Sequence, residues 1–334
     1  MTEPAMNHVG VVGMGAWGTA LAQSAARAGC DVVLLGRNAD LAKTILTSGE
    51  NSEYLPGISL AKTILATSDA SRLSDCNAVL LVVPAQALRS VLSSVRDHLP
   101  AEAPLILCAK GLEQGTHKLM SDVATEIVPE TPLAVLSGPS FASDVARGLP
   151  TAVTLACRDD ALGNTLVRAL GHATFRPYQT ADVVGTEIGG AVKNVLAIAC
   201  GIVSGRKLGA SAGAALTARG FAELTRFGVA LGARPETLSG LSGLGDLILT
   251  ATSPQSRNFS LGVDIGSGVP IGEILAERRA LSEGMWTASA LVARAASLGV
   301  DMPISAAVAE IVADRMSVND AIEALLSRPF KREG

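Results

Sequence analysis

Lys193 is the sole cation in an apolar, small-residue stretch, residues 185–201, that reads Gly-Thr-Glu-Ile-Gly-Gly-Ala-Val-Lys-Asn-Val-Leu-Ala-Ile-Ala-Cys-Gly. A buried, unpaired ammonium is costly, so a lysine in that setting either snorkels to water or has a chemical task. On a helix its side chain leans back over the turn that holds Gly189 and Gly190, leaving room beside it for a ligand. A second lysine, Lys110, is the only charge between Ile106 and Leu112. A lone carboxylate, Asp246, sits in Leu244-Gly245-Asp246-Leu247-Ile248-Leu249-Thr250. It reads either as a structural salt-bridge member or as the partner that orients a buried lysine. Ser256-Arg257-Asn258 come next, ahead of a helix turn at 259–262. That trio suits a grip on an oxyanion or phosphate, and equally suits helix capping beside a surface arginine.

What is missing narrows the chemistry. The histidines are His8, His98, His117 and His172, so the last part of the chain has no histidine acid or base. Neither Tyr54 nor Tyr178 is followed by a lysine four residues on. No Gly-Lys-Ser/Thr phosphate loop and no His-Glu-x-x-His metal pair is present, and no metal site is expected. Reduction of a carbonyl needs a proton donor for the oxygen as hydride arrives at carbon, and lysine is the best candidate left.

The elements that must position these groups begin with a buried strand at 9–12, followed at once by Gly13-Met14-Gly15-Ala16-Trp17-Gly18. An Ala/Leu-rich helix at 19–28 closes on Gly29, and a second buried strand runs over 31–35. Strand, glycine turn, helix, strand is the context that turns a bare G-x-G-x-x-G into a dinucleotide fingerprint. Gly13 makes the tight turn, Gly15 admits the pyrophosphate, and Gly18 lets helix pack on strand. The second strand runs into Gly36-Arg37-Asn38, where an NAD site usually carries a carboxylate for the ribose hydroxyls. A guanidinium there pairs with a 2′-phosphate, which favours NADPH over NADH; a solvated surface arginine is the structural alternative.

Further buried strands are expected at 78–83, ending at Pro84, at 104–109, ending at Lys110-Gly111, and at 133–136, ending at Ser137-Gly138-Pro139-Ser140-Phe141-Ala142. Ligands of open parallel sheets bind at these carboxyl ends, so Lys110, Gly138 and Ser140 fall on the working edge. A helix is expected at 85–98, and strands at 151–156 and 173–177 extend the sheet. Beyond about residue 184 the texture becomes helical, at 185–203, 212–232, 289–298, 305–313 and 318–327, the last capped near Asn319-Asp320. The expected fold is α/β: a Rossmann-like parallel-sheet domain, 1–184, and an all-helical C-terminal domain, 185–334.

Composition agrees. The 334 residues exceed what one core usually holds, and 48% hydrophobic with 3% aromatic content suits Ala/Val/Leu/Ile helices and buried parallel strands. A net charge of −4 without a basic block leaves no nucleic-acid footprint. Five dispersed cysteines, Cys30, Cys76, Cys108, Cys157 and Cys200, read as small core residues in a reducing compartment. No run reads as a signal peptide or as long enough to cross a membrane, so a cytoplasmic protein without membrane insertion is expected. The small-residue helices suit a homodimer interface as well as an internal core.

Six blocks carry a family resemblance: Gly13-Met14-Gly15-Ala16-Trp17-Gly18-Thr19-Ala20, Lys110-Gly111-Leu112-Glu113, Leu136-Ser137-Gly138-Pro139-Ser140-Phe141-Ala142, Gly189-Gly190-Ala191-Val192-Lys193-Asn194, Gly243-Leu244-Gly245-Asp246-Leu247 and Ser256-Arg257-Asn258. In this order, over most of the chain, they resemble the bacterial NAD(P)-dependent sn-glycerol-3-phosphate dehydrogenases. The resemblance implies reversible reduction of dihydroxyacetone phosphate to sn-glycerol 3-phosphate, the entry to glycerophospholipid synthesis. It implies Lys193 as catalytic acid/base, with Lys110 and Asp246 beside it. It implies Lys110, Gly138, Ser140, Lys193, Asp246, Ser256, Arg257 and Asn258 at the substrate. It implies Ala16, Trp17, Arg37, Lys110, Ala142, Arg257, Leu281 and Glu283 at the cofactor. Ala16 stands where serine is common, and Trp286 where an aromatic, often tyrosine, is usual. Two other readings remain at this point: a related Rossmann-plus-helical dehydrogenase of 2-hydroxy acids, which needs no phosphate grip, and a non-catalytic NAD(P)H sensor, which has no use for Lys193, Asp246 and Arg257 together.

Overall fold

The computed structural model describes residues 6–277 and 282–329. Eight strands form one sheet: β1 (His8–Val12), β2 (Asp31–Leu35), β3 (Ile64–Thr67), β4 (Ala78–Leu81), β5 (Leu105–Leu107), β6 (Leu133–Ser137), β7 (Thr151–Cys157) and β8 (Phe175–Thr180). Their order is β3-β2-β1-β4-β5-β6-β7-β8. Six helices connect them: α1 (Ala16–Arg27), α2 (Ala39–Ser48), α3 (Leu88–Val95), α4 (Met120–Ile127), α5 (Ala142–Arg147) and α6 (Asp160–Leu170). The strands are apolar on both faces because helices cover both. Val9, Val11, Leu34 and Leu80 pack in one core layer, and Val12, Leu81, Leu105 and Leu107 in the other. The order reverses between β1 and β4, and the carboxyl edge at that switch is where such sheets bind ligands.

One pairing departs from the expected parallel sheet: β6 and β7 run antiparallel, with Val135 opposite Ala156. Burial on both faces gives parallel and antiparallel strands the same apolar composition, so the sequence pattern does not separate them. The helix expected over 85–98 is a 3₁₀ turn at Ala85–Ala87, α3, and a second 3₁₀ turn at Arg96–His98. β8 starts and ends later than the pattern indicates.

The helical half contains α7 (Val183–Gly205), α8 (Ala210–Ala230), α9 (Pro235–Leu238), a π turn at Leu241–Gly245, α10 (Asp246–Thr252), α11 (Arg257–Gly266), α12 (Ile271–Glu277), α13 (Glu283–Ser297), α14 (Pro303–Val312) and α15 (Val318–Leu326). α7 starts two residues before the expected 185 because Asp182 caps it, accepting a hydrogen bond from Gly185 N at 2.8 Å. The last helix is capped by Ser317, whose hydroxyl accepts from Asp320 N, and not by Asn319 or Asp320. α7 is long and apolar enough to span a bilayer, contrary to the expectation that no segment is, yet most of it is enclosed by protein. α8, α10, α11, α13 and α14 surround it, and Val192, Val195, Leu196 and Ile198 are each at most 1% exposed.

Candidate active site

The glycine turn leads from β1 into α1. Gly13 has φ +125°, and a Cβ there would stand 2.2 Å from the Val82 carbonyl oxygen, so only glycine fits. Its N–H donates to Leu35 O at 2.8 Å, tying the turn to β2. A Cβ on Gly18 would meet the Gly13 carbonyl. Gly15 faces open space and is the N-cap of α1, with no side-chain acceptor and no acid in the first turn. The first amides of α1, beside Ala16 and Trp17, are thus left for an anion. Trp17 packs against the sheet core with its indole N–H buried and without a partner among the described residues. Arg37 is exposed at the end of β2, and Asn38 caps α2 through Asp40 N and Leu41 N. Arg37 also lies near Tyr54, whose phenol it pulls down against the larger upward pull of a hydrogen bond with Glu53.

The sheet edge and the helical half meet at Lys110, Lys193 and Asp246. Lys193 Nζ donates to Asp246 Oδ1 at 2.7 Å and to Thr250 Oγ1 at 2.8 Å. Lys110 Nζ, reaching from the end of β5, donates to Asp246 Oδ2 at 2.6 Å and to Gly138 O at 3.3 Å. One carboxylate therefore holds one ammonium from each half, and it is 1% exposed. Its oxygens fit because Asp246 is the first residue of α10, with Thr250 one turn on at 3.2 Å. Burial is the largest single influence on Asp246 and raises its pKa, but the two ammoniums together hold it below the usual carboxylate range. Burial depresses Lys193 to about 8; Asp246 opposes that shift and Lys110 adds to it.

Glu283, at the first turn of α13, accepts a hydrogen bond from Ala85 N beyond β4 at 3.2 Å. Burial raises its carboxyl, against the pull of that N–H and of Arg257, Lys110 and Lys193 nearby. Ser140 Oγ donates to Gly138 O at 3.1 Å, and Ala142 opens α5. Leu281 lies outside the described residues.

The expected phosphate grip divides. Ser256 is buried and accepts from Phe259 N as the N-cap of α11. Asn258 is buried, accepting from Gly284 N and donating to Asn194 Oδ1, both at 3.0 Å. Arg257 alone of the three is exposed. Capping and anion binding call on the same residue types, so the sequence does not separate them. The room expected beside Lys193 is also corrected. A Cβ on Gly189 would stand 2.5 Å from Ser242 O, and one on Gly190 2.7 Å from Ser137 Oγ and 3.3 Å from Lys110 Cγ. These glycines let α7 press against the π turn and the end of β6; they do not open a ligand space.

Two polar contributors escape the sequence reading. Thr250 shares a helix face with Asp246 at i, i+4, a spacing that could have revealed it. Glu187 gives no such signal, because one of its partners is a backbone amide far along the chain: it accepts from Ser121 N at 2.8 Å and Ser121 Oγ at 2.6 Å.

Known proteins with the same architecture bear on this geometry. The family model described as the NAD-dependent glycerol-3-phosphate dehydrogenase N-terminus matches residues 8–163, and the corresponding C-terminus model matches residues 182–323. The NAD(P)+-type glycerol-3-phosphate dehydrogenase of Rhodospirillum rubrum is 58% identical over 98% of this chain and 95% of its own. The crystal structure of glycerol-3-phosphate dehydrogenase from Coxiella burnetii, at 36% identity, superposes with a TM-score of 0.92 over 97% of this chain and all of that one. A ketopantoate reductase structure from Ralstonia eutropha, at 19% identity and a TM-score of 0.64 over 92% of this chain and 98% of that one, shares the fold alone. With both family models in register and the lysine–aspartate–lysine cluster between them, the chain belongs to the NAD-dependent glycerol-3-phosphate dehydrogenase family.

Proposed function

We propose that the chain reversibly reduces dihydroxyacetone phosphate to sn-glycerol 3-phosphate, with NADPH favoured over NADH, and supplies glycerophospholipid synthesis from the cytoplasm. The observation that carries this reading is the Lys193–Asp246–Lys110 cluster at the carboxyl edge of the sheet. In this reading residues 1–184 hold the dinucleotide and residues 185–334 supply the proton donor and the phosphate grip. A dinucleotide suits the open backbone at Gly15 and the uncapped start of α1. Arg37, with no carboxylate in Gly36-Arg37-Asn38, suits a 2′-phosphate. When bound, the nicotinamide supplies the hydride.

The chain's own residues do the rest. An ammonium has three N–H groups, and Lys193 spends two on Asp246 and Thr250. The third is left for the substrate oxygen, which it polarises and then protonates. A pKa of about 8 keeps Lys193 charged at neutral pH while making its proton easier to give. Lys110 and Arg257 make the cleft cationic, which suits a phosphate ester; Arg257 and the α11 amides are assigned to the phosphate. Remote phosphate binding orients the carbonyl, the usual source of a large part of the rate. The 2-hydroxy-acid reading gives this cationic cleft no phosphate to hold, and a sensor gives the Lys193 N–H no acceptor. Five buried, unpaired thiols suit a reducing compartment.

NADPH oxidation with dihydroxyacetone phosphate, set against hydroxyacetone, tests the reading. The phosphate ester should be used at least about a hundredfold better in kcat/KM. Turnover with neither substrate would remove the assignment, and equal use of NADH and NADPH would remove the role given to Arg37.

A further inference from the structure

α4 has no cap of its own. Leu119 occupies its N-cap position and offers no side-chain acceptor, and Leu119 itself is buried. The missing acceptor comes from the other half of the molecule. Glu187, in the second turn of α7 and only 5% exposed, takes Ser121 N on Oε1 and Ser121 Oγ on Oε2. Ser121 N is one of the amides that a helix leaves unpaired at its start, and a carboxylate there also meets the positive end of the helix dipole.

The same face of α7 is held a second time. Asn194 lies seven residues, two turns, beyond Glu187 and accepts from Asn258 Nδ2 on α11. The two clamps hold α7 on either side of the stretch that carries Lys193, which sits next to Asn194. In the proposed reaction the hydride donor is held by the sheet half and the proton donor by α7. Misplacement of reacting groups by about 1 Å can cost on the order of a hundredfold in rate.

We propose that Glu187 is a positioning residue: by capping α4 across the two halves, it fixes α7 against the nucleotide-binding sheet and so sets Lys193 at the reacting distance. This rests on the reading of Lys193 as proton donor, although its structural part stands without turnover. Ionised, Glu187 takes both donors; protonated, it retains one acceptor oxygen, so glutamine should preserve much of the tie.

Hydrogen exchange of the full chain, Glu187→Ala against wild type, reads the tie without turnover. Faster exchange in residues 120–123 together with residues 186–194 is expected. Acceleration confined to 120–123 would make Glu187 a helix cap only and overturn the inference. Kinetics then read its consequence. Glu187→Ala should lose about tenfold or more in kcat for dihydroxyacetone phosphate, show a larger primary isotope effect with nicotinamide-deuterated NADPH, and keep NADPH affinity within about twofold. Glu187→Gln should recover most of the rate. A folded Glu187→Ala protein with unchanged kcat and isotope effect would refute the role. Should alanine fail to fold, Ser121→Ala, which retains the amide bond, should give the same pattern at smaller scale, and its absence would refute the role equally. Failure of the wild type to turn over dihydroxyacetone phosphate would strike the proposed reaction, not the exchange result.

Discussion

Asp246 and Glu187 are both buried carboxylates bearing on α7, and their surroundings drive them apart. Asp246 faces two ammoniums, which outweigh its burial and keep it ionised. Glu187 faces the Ser121 and Met120 N–H groups and the Ser121 hydroxyl, which offset burial only in part, and the Asp122 carboxylate adds to the rise, so its carboxyl is pushed up to about 7. Full opposite charges repay the desolvation of an ion, whereas dipoles repay less of it. The first environment builds a permanent charge that orients a proton donor. The second builds a tie whose ionisation lies within the physiological range.

The contrast is tested most severely at Lys193. Lys193→Ala should lower kcat by about a hundredfold to ten-thousandfold, the usual worth of a positioned acid, while the NADPH dissociation constant barely changes. Loss of cofactor affinity instead would make Lys193 structural and leave Asp246 as an ion-pair member only. Asp246→Ala comes next. It leaves the buried Lys193 ammonium and the partly buried Lys110 ammonium facing each other without a counter-charge, and should cost about 3–5 kcal/mol of stability in denaturant melts. A cost below about 1 kcal/mol would mean that water, not Asp246, screens the pair.

These outcomes bear on how much the sequence disclosed. The glycine turn is legible because each glycine answers a local backbone demand, as Gly13 does against Val82 O. Lys193 and Asp246 are legible because each is a lone charge among apolar residues. Their pairing across 53 positions, and the arrival of Lys110 at the same carboxylate across 136, are not written locally; the sheet edge and α10 bring them together. Gly189 and Gly190 mislead for a related reason. A glycine marks close approach, but the sequence does not say whether a ligand or the protein's own backbone approaches.

pH separates the two carboxylate environments more finely. Lys193 titrates near 8, and reduction needs its charged form. In the reducing direction kcat/KM should therefore be flat below about 8 and fall roughly tenfold per pH unit above it, while oxidation of glycerol 3-phosphate, which needs the neutral amine, should rise as pH approaches about 8 and level off above it. Asp246→Asn removes the counter-charge, so the break should move to lower pH. A break that stays fixed in Asp246→Asn would assign it to another group.

The smallest effect belongs to Glu187 and appears in stability. Its carboxyl holds a proton up to about 7 in the fold but only up to about 4.5 in the unfolded chain. The folded state thus binds the extra proton between those values. The stabilisation is fully present below about 4.5 and is lost as pH rises through about 7. Measured as the difference between wild type and Glu187→Gln, folding free energy should decline by about 1 kcal/mol from pH 6 to pH 8. Glutamine keeps an acceptor for Ser121 but cannot titrate, so subtraction removes the slopes that both proteins share. A flat difference would mean that the two N–H groups, the hydroxyl and the α4 dipole together overcome burial and the Asp122 charge as Lys110 and Lys193 overcome burial for Asp246, and the contrast between ions and dipoles at this helix would disappear.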